Sequence, residues 1–325
     1  MTNSKEAFQE NSHIPVLLKE VISNIYNSKL EKQNYFDGTF GGGGYSQELL
    51  QQSEVDFKTK TNLLELNVCD LDNQTFQNVE TISEKYPDFN INFMNSNFAD
   101  YIQQFEDNYF GGIMLDLGFS SNQLEYSERG FSYLKREDIL DLRYNLNQGQ
   151  NLLSKLKKMI NGGEIGRIIF KYSGEKLSMR IGGFIFEYLE ESKAKELMVG
   201  DFVDLIVRAI PRQFQKNKFS ILSRVWQALR IWVNDEFESL ERFLNFAPAK
   251  LISGGHLAVV SFHSLEDKLV TKKFRELAAL VVIDAFGNTK QDFRVLTKKA
   301  ITPTEGEISQ NSRSRSALLR VLEKV

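Results

Sequence analysis

The sequence feature that most constrains the fold is a stretch at residues 35–50, which reads YFDGTFGGGGYSQELL. A short apolar run ends in Asp37, four glycines follow at 41–44, and an amphipathic segment begins at Ser46. This order predicts a strand, a tight turn and a helix. In the turn, glycine allows positive φ and the close approach of a ligand. The turn can hold a nucleotide-like ligand, but the G-x-G-x-x-G spacing of dinucleotide sites is not met. A plain flexible loop is the alternative.

Three further predicted strands of the first 120 residues are also followed by polar or aromatic side chains. Asp70 ends the first, Asn97 and Phe98 follow the second, and Asp116 lies near the end of the third. Strands that alternate with helices predict a parallel sheet, whose ligands bind beyond the carboxyl ends of the strands. With Asp37, these residues predict a nucleoside-shaped site in which Asp70 accepts hydrogen bonds from ribose hydroxyls and Phe98 covers an adenine face. For each acid alone, a helix N-cap is the competing interpretation.

The alternation of strands and helices stops after about residue 121 and returns about a hundred residues later. From 122 to 220 helical periods dominate, which predicts a helical insertion. Beyond it we predict a long helix at 222–246, a strand at 256–262, a polar loop at 300–312 and a final strand at 316–322. The predicted domain bounds are 1–124 for the first part of the α/β domain, 125–219 for the insertion and 220–325 for the second part.

His263 follows the predicted strand at 256–262 in the block SFHSLED and is one of three histidines. Ser264 and Asp267 fit an N-capping pair, so part of this block is structural. No G-x-S-x-G elbow precedes the histidine, and three scattered histidines with one cysteine give no metal-ligand spacing, so no metal is predicted. We predict that His263 takes part in proton transfer or in phosphate or base contact.

Composition limits where the protein works and what its surface can bind. The single cysteine, Cys69, excludes an internal disulfide framework and suits a reducing compartment. No apolar segment reaches the length of a membrane span, and residues 1–12 lack a signal-peptide pattern, so we expect a cytoplasmic protein. The net charge of −3 argues against a nucleic-acid-coated surface, yet basic clusters at 212–230, 268–275 and 313–320 can bind phosphate locally.

Several sequence blocks occur in a fixed order along nearly the whole chain. They are HIPVLL at 13–18, DGTFGGGG at 37–44, LDLGFSSNQL at 115–124, RGFSY at 129–133, LDLR at 140–143, WQALRI at 226–231, SFHSLED at 261–267 and RSRSA at 313–317. In number and order these blocks resemble the bacterial RsmH (MraW) type of ribosomal RNA methyltransferase, which uses S-adenosyl-L-methionine.

The resemblance implies a fold, an activity and partners. The fold is a class I S-adenosylmethionine-dependent methyltransferase, an α/β fold with a Rossmann-like, doubly wound and mostly parallel sheet, here with a helical insertion domain. The activity is methylation of the exocyclic N4 amine of a cytidine in 16S small-subunit ribosomal RNA. The partner is this RNA or a 30S-type subunit, with no membrane, and a homodimer is left open.

The resemblance also assigns roles to individual residues. It implies that the donor contacts are Gly43, Gly44, Tyr45, Asp70, Phe98, Asp116 and Gln123. Asp116 and His263 are the catalytic candidates, the former because amino-methyltransferases place their chemistry after the fourth strand. The family usually has His at position 45, where this chain has Tyr45, and Pro at position 312, where it has Ser312.

Two sets of residues are expected to contact RNA. A flipped base would be received by Phe131, Tyr133, Trp226 or Phe262, for each of which plain core packing is the alternative. The backbone would be clamped by Arg143, Lys171, Arg180, Arg212 and Lys218. Alternative functions are a methyltransferase on another RNA or on DNA, and a ribosome assembly factor that binds the donor but has lost turnover. A nicotinamide oxidoreductase is disfavoured by the glycine spacing.

Overall fold

The structure is a computed structural model that describes residues 15–56, 64–118, 128–192, 195–282 and 289–325. Its helices are α1 (Leu18–Ile25), α2 (Gly44–Asp56), α3 (Phe76–Lys85), α4 (Phe98–Tyr101), α5 (Leu152–Leu156), α6 (Gly162–Ser173), α7 (Ser178–Glu191), α8 (Val199–Ala209), α9 (Lys218–Val233), α10 (Glu236–Lys250), α11 (Ser264–Leu277) and α12 (Glu305–Gln310). Its strands are β1 (Asn34–Asp37), β2 (Glu65–Asp70), β3 (Asn90–Asn95), β4 (Phe110–Asp116), β5 (Leu251–Ser261), β6 (Val281–Val282), β7 (Thr289–Lys290), β8 (Phe293–Val295) and β9 (Leu318–Lys324). No helix among these residues is long and apolar enough to cross a membrane.

The chain forms two compact units. The sheet unit consists of Met1–Gly118 and Glu238–Val325, and the helical unit consists of Phe119–Phe237. The sheet unit contains seven strands in the order β3-β2-β1-β4-β5-β9-β8. The first five are parallel, whereas β9 runs antiparallel to β5 and β8 runs antiparallel to β9. This agrees with the predicted doubly wound, mostly parallel sheet and places the switch point between β1 and β4.

Both faces of the sheet are buried, because successive side chains of a strand point to opposite faces. On β1, Tyr35 packs into one core cluster with Leu49 of α2, and Phe36 packs into the other with Phe243 of α10. Both rings are fully buried. Burial on both faces explains why the strands read as apolar runs and why their polar residues stand at the ends.

The helical unit is built around the close approach of α6 and α7. A Cβ on Gly182 would lie 2.3 Å from the carbonyl oxygen of Gly162, so the two backbones can meet only where side chains are absent. The unit extends to residue 237, beyond the predicted end at 219. The reason is that α9 belongs to its core, where Trp226 donates a hydrogen bond from Nε1 to Gly130 O at 2.9 Å and packs on Phe202.

Two secondary-structure predictions were wrong. The long helix predicted at 222–246 is two helices. The break follows because Asp235 adopts φ 49° and the Asn234 side chain forms hydrogen bonds with Tyr144 N and Leu142 O. The loop predicted at 300–312 contains α12, whose N-cap Thr304 accepts a hydrogen bond from Glu307 N at 3.2 Å. Both errors come from capping and turn contacts, which involve residues outside the periodic pattern.

Candidate functional site: the carboxyl ends of the parallel strands

The glycine turn between β1 and α2 requires glycine at three of its four positions. Gly41 and Gly43 have φ of 51° and 73°. A Cβ on Gly43 would lie 2.3 Å from Cδ1 of Ile82, and one on Gly44 would lie 2.2 Å from Cγ of Pro15. Packing and backbone conformation therefore fix the shape of this turn.

Gly42 differs from the other three glycines because a Cβ on it would meet no atom within 4 Å. The neighbouring carbonyl of Gly41 is held by Asn78, whose Nδ2 donates to it at 2.9 Å. Within the described parts of the chain, no backbone hydrogen bond uses the N–H of Gly42 or of Gly44, the first residue of α2. Open space beside N–H groups at a helix start suits a carboxylate or phosphate.

Replacing Gly43 by alanine is expected to lower the free energy of unfolding by about 2–4 kcal/mol, because positive φ and overlap with Ile82 both disfavour a Cβ. Gly42→Ala is the matched control and should unfold with the wild-type midpoint. Urea unfolding followed by circular dichroism measures both. Equal midpoints for the two variants would contradict this account of the turn.

Asp37 holds the turn to the first part of α2. Its Oδ2 accepts a hydrogen bond from Ser46 Oγ at 2.7 Å, and its Oδ1 accepts one from Thr39 N at 3.2 Å. Burial raises the pKa of Asp37 to about 6, although these hydrogen bonds favour the charged form. Asp37 is therefore a structural acid that also places negative charge inside the site.

Asp70 at the end of β2 joins the glycine turn to the next loop. Its Oδ2 accepts from Gly41 N and its Oδ1 from Asp72 N, both at 2.8 Å. Burial raises its pKa to about 6, with smaller contributions from the charges of Asp72 and Asp37. An ionised carboxylate has about four lone-pair sites, so two backbone donors leave it able to accept from ribose hydroxyls as well.

Phe98 begins α4 and is oriented by its neighbours. Asn97 caps the helix by accepting a hydrogen bond from Ala99 N at 2.8 Å, and its Nδ2 donates to Ser239 Oγ at 2.8 Å. The half-buried ring of Phe98 packs edge-on against Phe243 with centroids 5.3 Å apart. This support holds the ring beside the ends of β2 and β3, where an adenine could stack.

Asp116 at the end of β4 is the most perturbed acid of the site. Its backbone N–H donates to Thr39 Oγ1 at 2.7 Å, but its Oδ1 is buried without a hydrogen-bond partner among the described residues. Burial raises its pKa to about 8, and the negative charges of Asp37 and Glu266 act in the same direction. An unpaired buried acceptor is costly by itself, so a ligand that donates to Oδ1 would gain from meeting it.

Tyr45 lies beside Asp116 and is buried. Its hydroxyl donates a hydrogen bond to Val16 O and also lies within hydrogen-bonding reach of Asp116, where it opposes part of the rise in the Asp116 pKa. Burial raises the pKa of Tyr45 well above its ordinary value, and the nearby negative charge of Asp116 and Asp37 adds to this. Because the phenol is neutral, position 45 places no positive charge next to Asp116.

His263 is the N-cap of α11. Its Nδ1 accepts a hydrogen bond from Glu266 N at 3.4 Å, its Nε2 lies 3.0 Å from Glu266 Oε1, and Glu266 Oε2 accepts from Phe262 N at 2.9 Å. The predicted capping pair of Ser264 and Asp267 was wrong, since the cap lies one residue earlier. The catalytic role of His263 stays a prediction, whereas its observed contacts hold Glu266 near Asp116.

Replacing His263 by alanine is expected to lower the free energy of unfolding by about 1 kcal/mol, the usual value for loss of an N-cap. His263→Asn should restore most of it, because asparagine caps well and cannot transfer protons. Urea unfolding checks both variants. Methyl transfer by the asparagine variant then separates capping from proton transfer. Turnover at the wild-type rate would show that the imidazole takes no part in proton transfer.

The comparison with known families settles which proteins this chain is related to. The model of the MraW methylase family matches residues 10–325. The chain belongs to the MraW methylase family. Its relatives include proteins named ribosomal RNA small subunit methyltransferase H. The one from Nostoc punctiforme is 38% identical over 317 residues, covering 97% of this chain and 94% of its own. The one from Anaplasma phagocytophilum is 35% identical over 317 residues, covering 96% and 99%.

Membership confirms the resemblance seen in the sequence, and the class I methyltransferase fold with it. S-adenosylmethionine is the methyl donor of this methylase, and the strand-end residues fit it chemically. The open side of the turn suits its carboxylate, and Asp70 suits its ribose hydroxyls. Phe98 suits its adenine. The predicted contact Gln123 lies outside the described residues.

Aromatic residues predicted to receive a base fall into two groups. Phe131 and Trp226 are buried in the helical unit, where Phe131 stacks on Tyr144 with centroids 5.5 Å apart. Tyr133 packs edge-on against Trp226. Phe262 is half-buried in the sheet unit, beside the cap of α11. Core packing thus accounts for Phe131 and Trp226, and a base-binding role stays a prediction for the other two.

The cations predicted to clamp RNA are partly engaged inside the helical unit. Arg143 forms a bidentate pair with Asp141, at 2.7 and 2.8 Å. Arg180 donates from Nε to Ala209 O at 2.6 Å. Because both side chains already bind partners within the helical unit, they are less available to phosphate than the sequence alone suggested.

Sequence reasoning missed two residues of the site. Thr39 accepts the backbone hydrogen bond of Asp116, and buried Glu266 adds negative charge near it. A signal existed for Glu266, because it stands three residues after His263 and completes a capping box. No pattern in the sequence pointed to Thr39, whose role depends on the pairing of β1 with β4.

Proposed function

We propose that this methylase transfers a methyl group from S-adenosylmethionine to the exocyclic N4 amine of a cytidine in 16S small-subunit ribosomal RNA. The observation that carries this proposal is the buried, unpartnered Oδ1 of Asp116 at the end of β4. An aromatic amine is a hydrogen-bond donor that satisfies such an acceptor. The names of the family relatives, which specify small-subunit ribosomal RNA, support the substrate.

Asp116 orients the amine and receives its proton. The amine lone pair of cytosine is delocalised into the ring, which makes it a weak nucleophile. A hydrogen bond from N4–H to Oδ1 of Asp116 would hold the nitrogen so that its lone pair faces the reacting carbon. With a pKa of about 8, Asp116 ionises close to neutral pH, and its ionised form is the base that accepts the proton that N4 loses.

The donor supplies an electrophilic methyl group on a sulfonium centre. We propose that Gly43, Gly44 and Tyr45 surround its amino-acid end, that Asp70 accepts from its ribose and that Phe98 covers its adenine. Gln123 is carried over from the family pattern. This arrangement uses the N–H groups at the start of α2 and the two lone pairs that Asp70 retains.

The finer aspects of partner and location follow from this substrate. We propose that the protein acts in the cytoplasm on a 30S-type subunit, and that residues of the predicted insertion, 125–219, contact its RNA. A homodimer is compatible with this proposal, and gel filtration with light scattering tests it.

Labelled S-adenosylmethionine and small ribosomal subunits that lack their modifications test the function. After digestion, the labelled nucleoside is identified by mass. N(4)-methylcytidine, absent with Asp116→Ala, is the expected product. A different methylated nucleoside would overturn the substrate, and donor binding without any label would overturn the enzymatic function.

A further inference from the structure

Helix α11 has an inner and an outer face of opposite character. Val270 and Phe274 are buried in the core of the sheet unit. Lys268, Lys272 and Arg275 are exposed and stand at i, i+4 and i+7, the spacing of one helical face. The outer face of α11 therefore carries a row of three cations.

A partly buried ion pair lines a groove beside this row. Arg320 of β9 binds Asp267 through Nε–Oδ1 and Nη2–Oδ2 contacts of 2.7 and 3.0 Å, with side chains 15% and 16% exposed. The pair fixes the guanidinium and uses two of its five N–H donors. The groove has a volume of about 500 Å³ and is lined by this pair and the three cations, and we call it the α11 groove.

The charge and polarity of the α11 groove favour an anion. Its lining has four cations against two acids, Asp267 and Glu276, in a chain whose net charge is −3. Glu276 lies 4.0 Å from Lys272 with both side chains exposed, a contact that holds the lysine weakly. Thr271 also lines the groove, and its Oγ1 has no hydrogen-bond partner in the described part of the chain.

One end of the groove lies at the start of α11, close to the site at the strand ends. Asp267 directly follows Glu266, whose charge acts on Asp116. From Lys268 to Arg275 the helix axis advances about 10 Å, at 1.5 Å per residue. Since a nucleic-acid strand advances about 3.4 Å per nucleotide, this length matches about three nucleotides.

We propose that the α11 groove binds backbone phosphates of the RNA next to the target nucleotide, an inference that rests on the proposed function. Lysine and arginine on flexible stems contact phosphate without reading sequence, which suits a surface that positions a strand. The sheet unit thus supplies its own RNA contact, in addition to any in the helical unit.

The test removes the three outer cations together, as Lys268→Gln, Lys272→Gln and Arg275→Gln. Lys273→Gln is the matched control, because Lys273 lies on the same helix but donates to Asn245 Oδ1 at 2.7 Å. Binding of a 16S RNA transcript is measured by fluorescence anisotropy at several salt concentrations. The triple variant should bind roughly 10- to 100-fold more weakly. The slope of log K against log salt concentration should become less steep by about 2 to 3. The control should bind like the wild type.

Binding and turnover are measured separately so that the two proposals can fail independently. Wild-type protein that binds RNA through the groove but methylates no ribosomal RNA would overturn the proposed function alone. Methylation with an unchanged salt slope in the triple variant would overturn the groove alone. So would a loss of affinity for assembled subunits but not for naked RNA, which would indicate a protein contact. Inorganic phosphate that displaces RNA from the wild type at matched phosphate concentration would indicate a small-anion site, with the same consequence.

Discussion

Asp116→Asn is expected to lower kcat/KM for methyl transfer by about 10²- to 10⁴-fold while it raises the stability of the fold. The loss of activity follows because an amide cannot accept the proton of N4. The gain of stability follows because burial, Asp37 and Glu266 all disfavour a charge at this position. Opposite effects on activity and stability are typical of residues that a fold retains for chemistry.

The stability gain has a defined pH dependence. The pKa of Asp116 is about 8 in the folded protein and about 4 in an unfolded chain. Between these values the unfolded chain has released a proton that the folded protein still holds, so the wild type loses stability as pH rises. The asparagine variant lacks this loss, and its advantage should grow from pH 4 to pH 8, reaching about 1–3 kcal/mol.

Urea unfolding at several pH values and single-turnover transfer measure the two effects. Asp107→Asn is the control, because Asp107 is an exposed acid whose pKa the side chain of Lys250 holds below its usual range. Its loss should leave transfer unchanged and should not stabilise the fold at high pH. Wild-type turnover by Asp116→Asn, or an advantage independent of pH, would contradict the role given to this acid.

Asp70→Ala is expected to weaken S-adenosylhomocysteine binding by about 10²- to 10⁴-fold. Two ribose hydroxyls would lose a charged acceptor, and hydrogen bonds to charged groups contribute about 1.5–3 kcal/mol each. Calorimetric titration measures the affinity. Because Asp70 also holds the turn through Gly41 N, a lower affinity alone would not distinguish lost contacts from a disturbed turn.

A ligand lacking both ribose hydroxyls makes that distinction. The wild type should bind the 2′,3′-dideoxy analogue far more weakly than the parent compound, and the Asp70→Ala variant should bind the two alike. Undiminished discrimination in the variant would place the ribose elsewhere. Affinity of the wild type should also fall below about pH 6, where Asp70 becomes protonated and offers fewer acceptor sites.

The strand ends were predictable because their signals are local. The apolar runs of β1, β2 and β4 each end in an acid, and parallel topology brings such ends together. The glycine turn was predictable for the same reason, since positions with positive φ, such as Gly41 and Gly43, favour glycine.

What the sequence did not reveal depends on contacts between distant segments. The extension of the helical unit to residue 237 depends on Trp226 packing against Phe202. The pKa of Asp116 is raised mainly by burial and by Asp37, and Glu266 adds to this although it is 150 residues away, because β5 pairs with β4 and brings it to the site. Ser264 was predicted to cap α11 because serine is a common capping residue, whereas the backbone geometry places the cap at His263.

The interruption of the sheet unit by residues 119–237 has a consequence for synthesis. Strand β4 pairs on one side with β1, which precedes it, but on the other with β5, which begins at Leu251. At about 5–20 residues per second, a ribosome needs roughly 7–27 s to make the intervening chain. During that time the edge of β4 that will pair with β5 has no strand beside it, so nascent chains of this methylase should be clients of chaperones that shield strand edges.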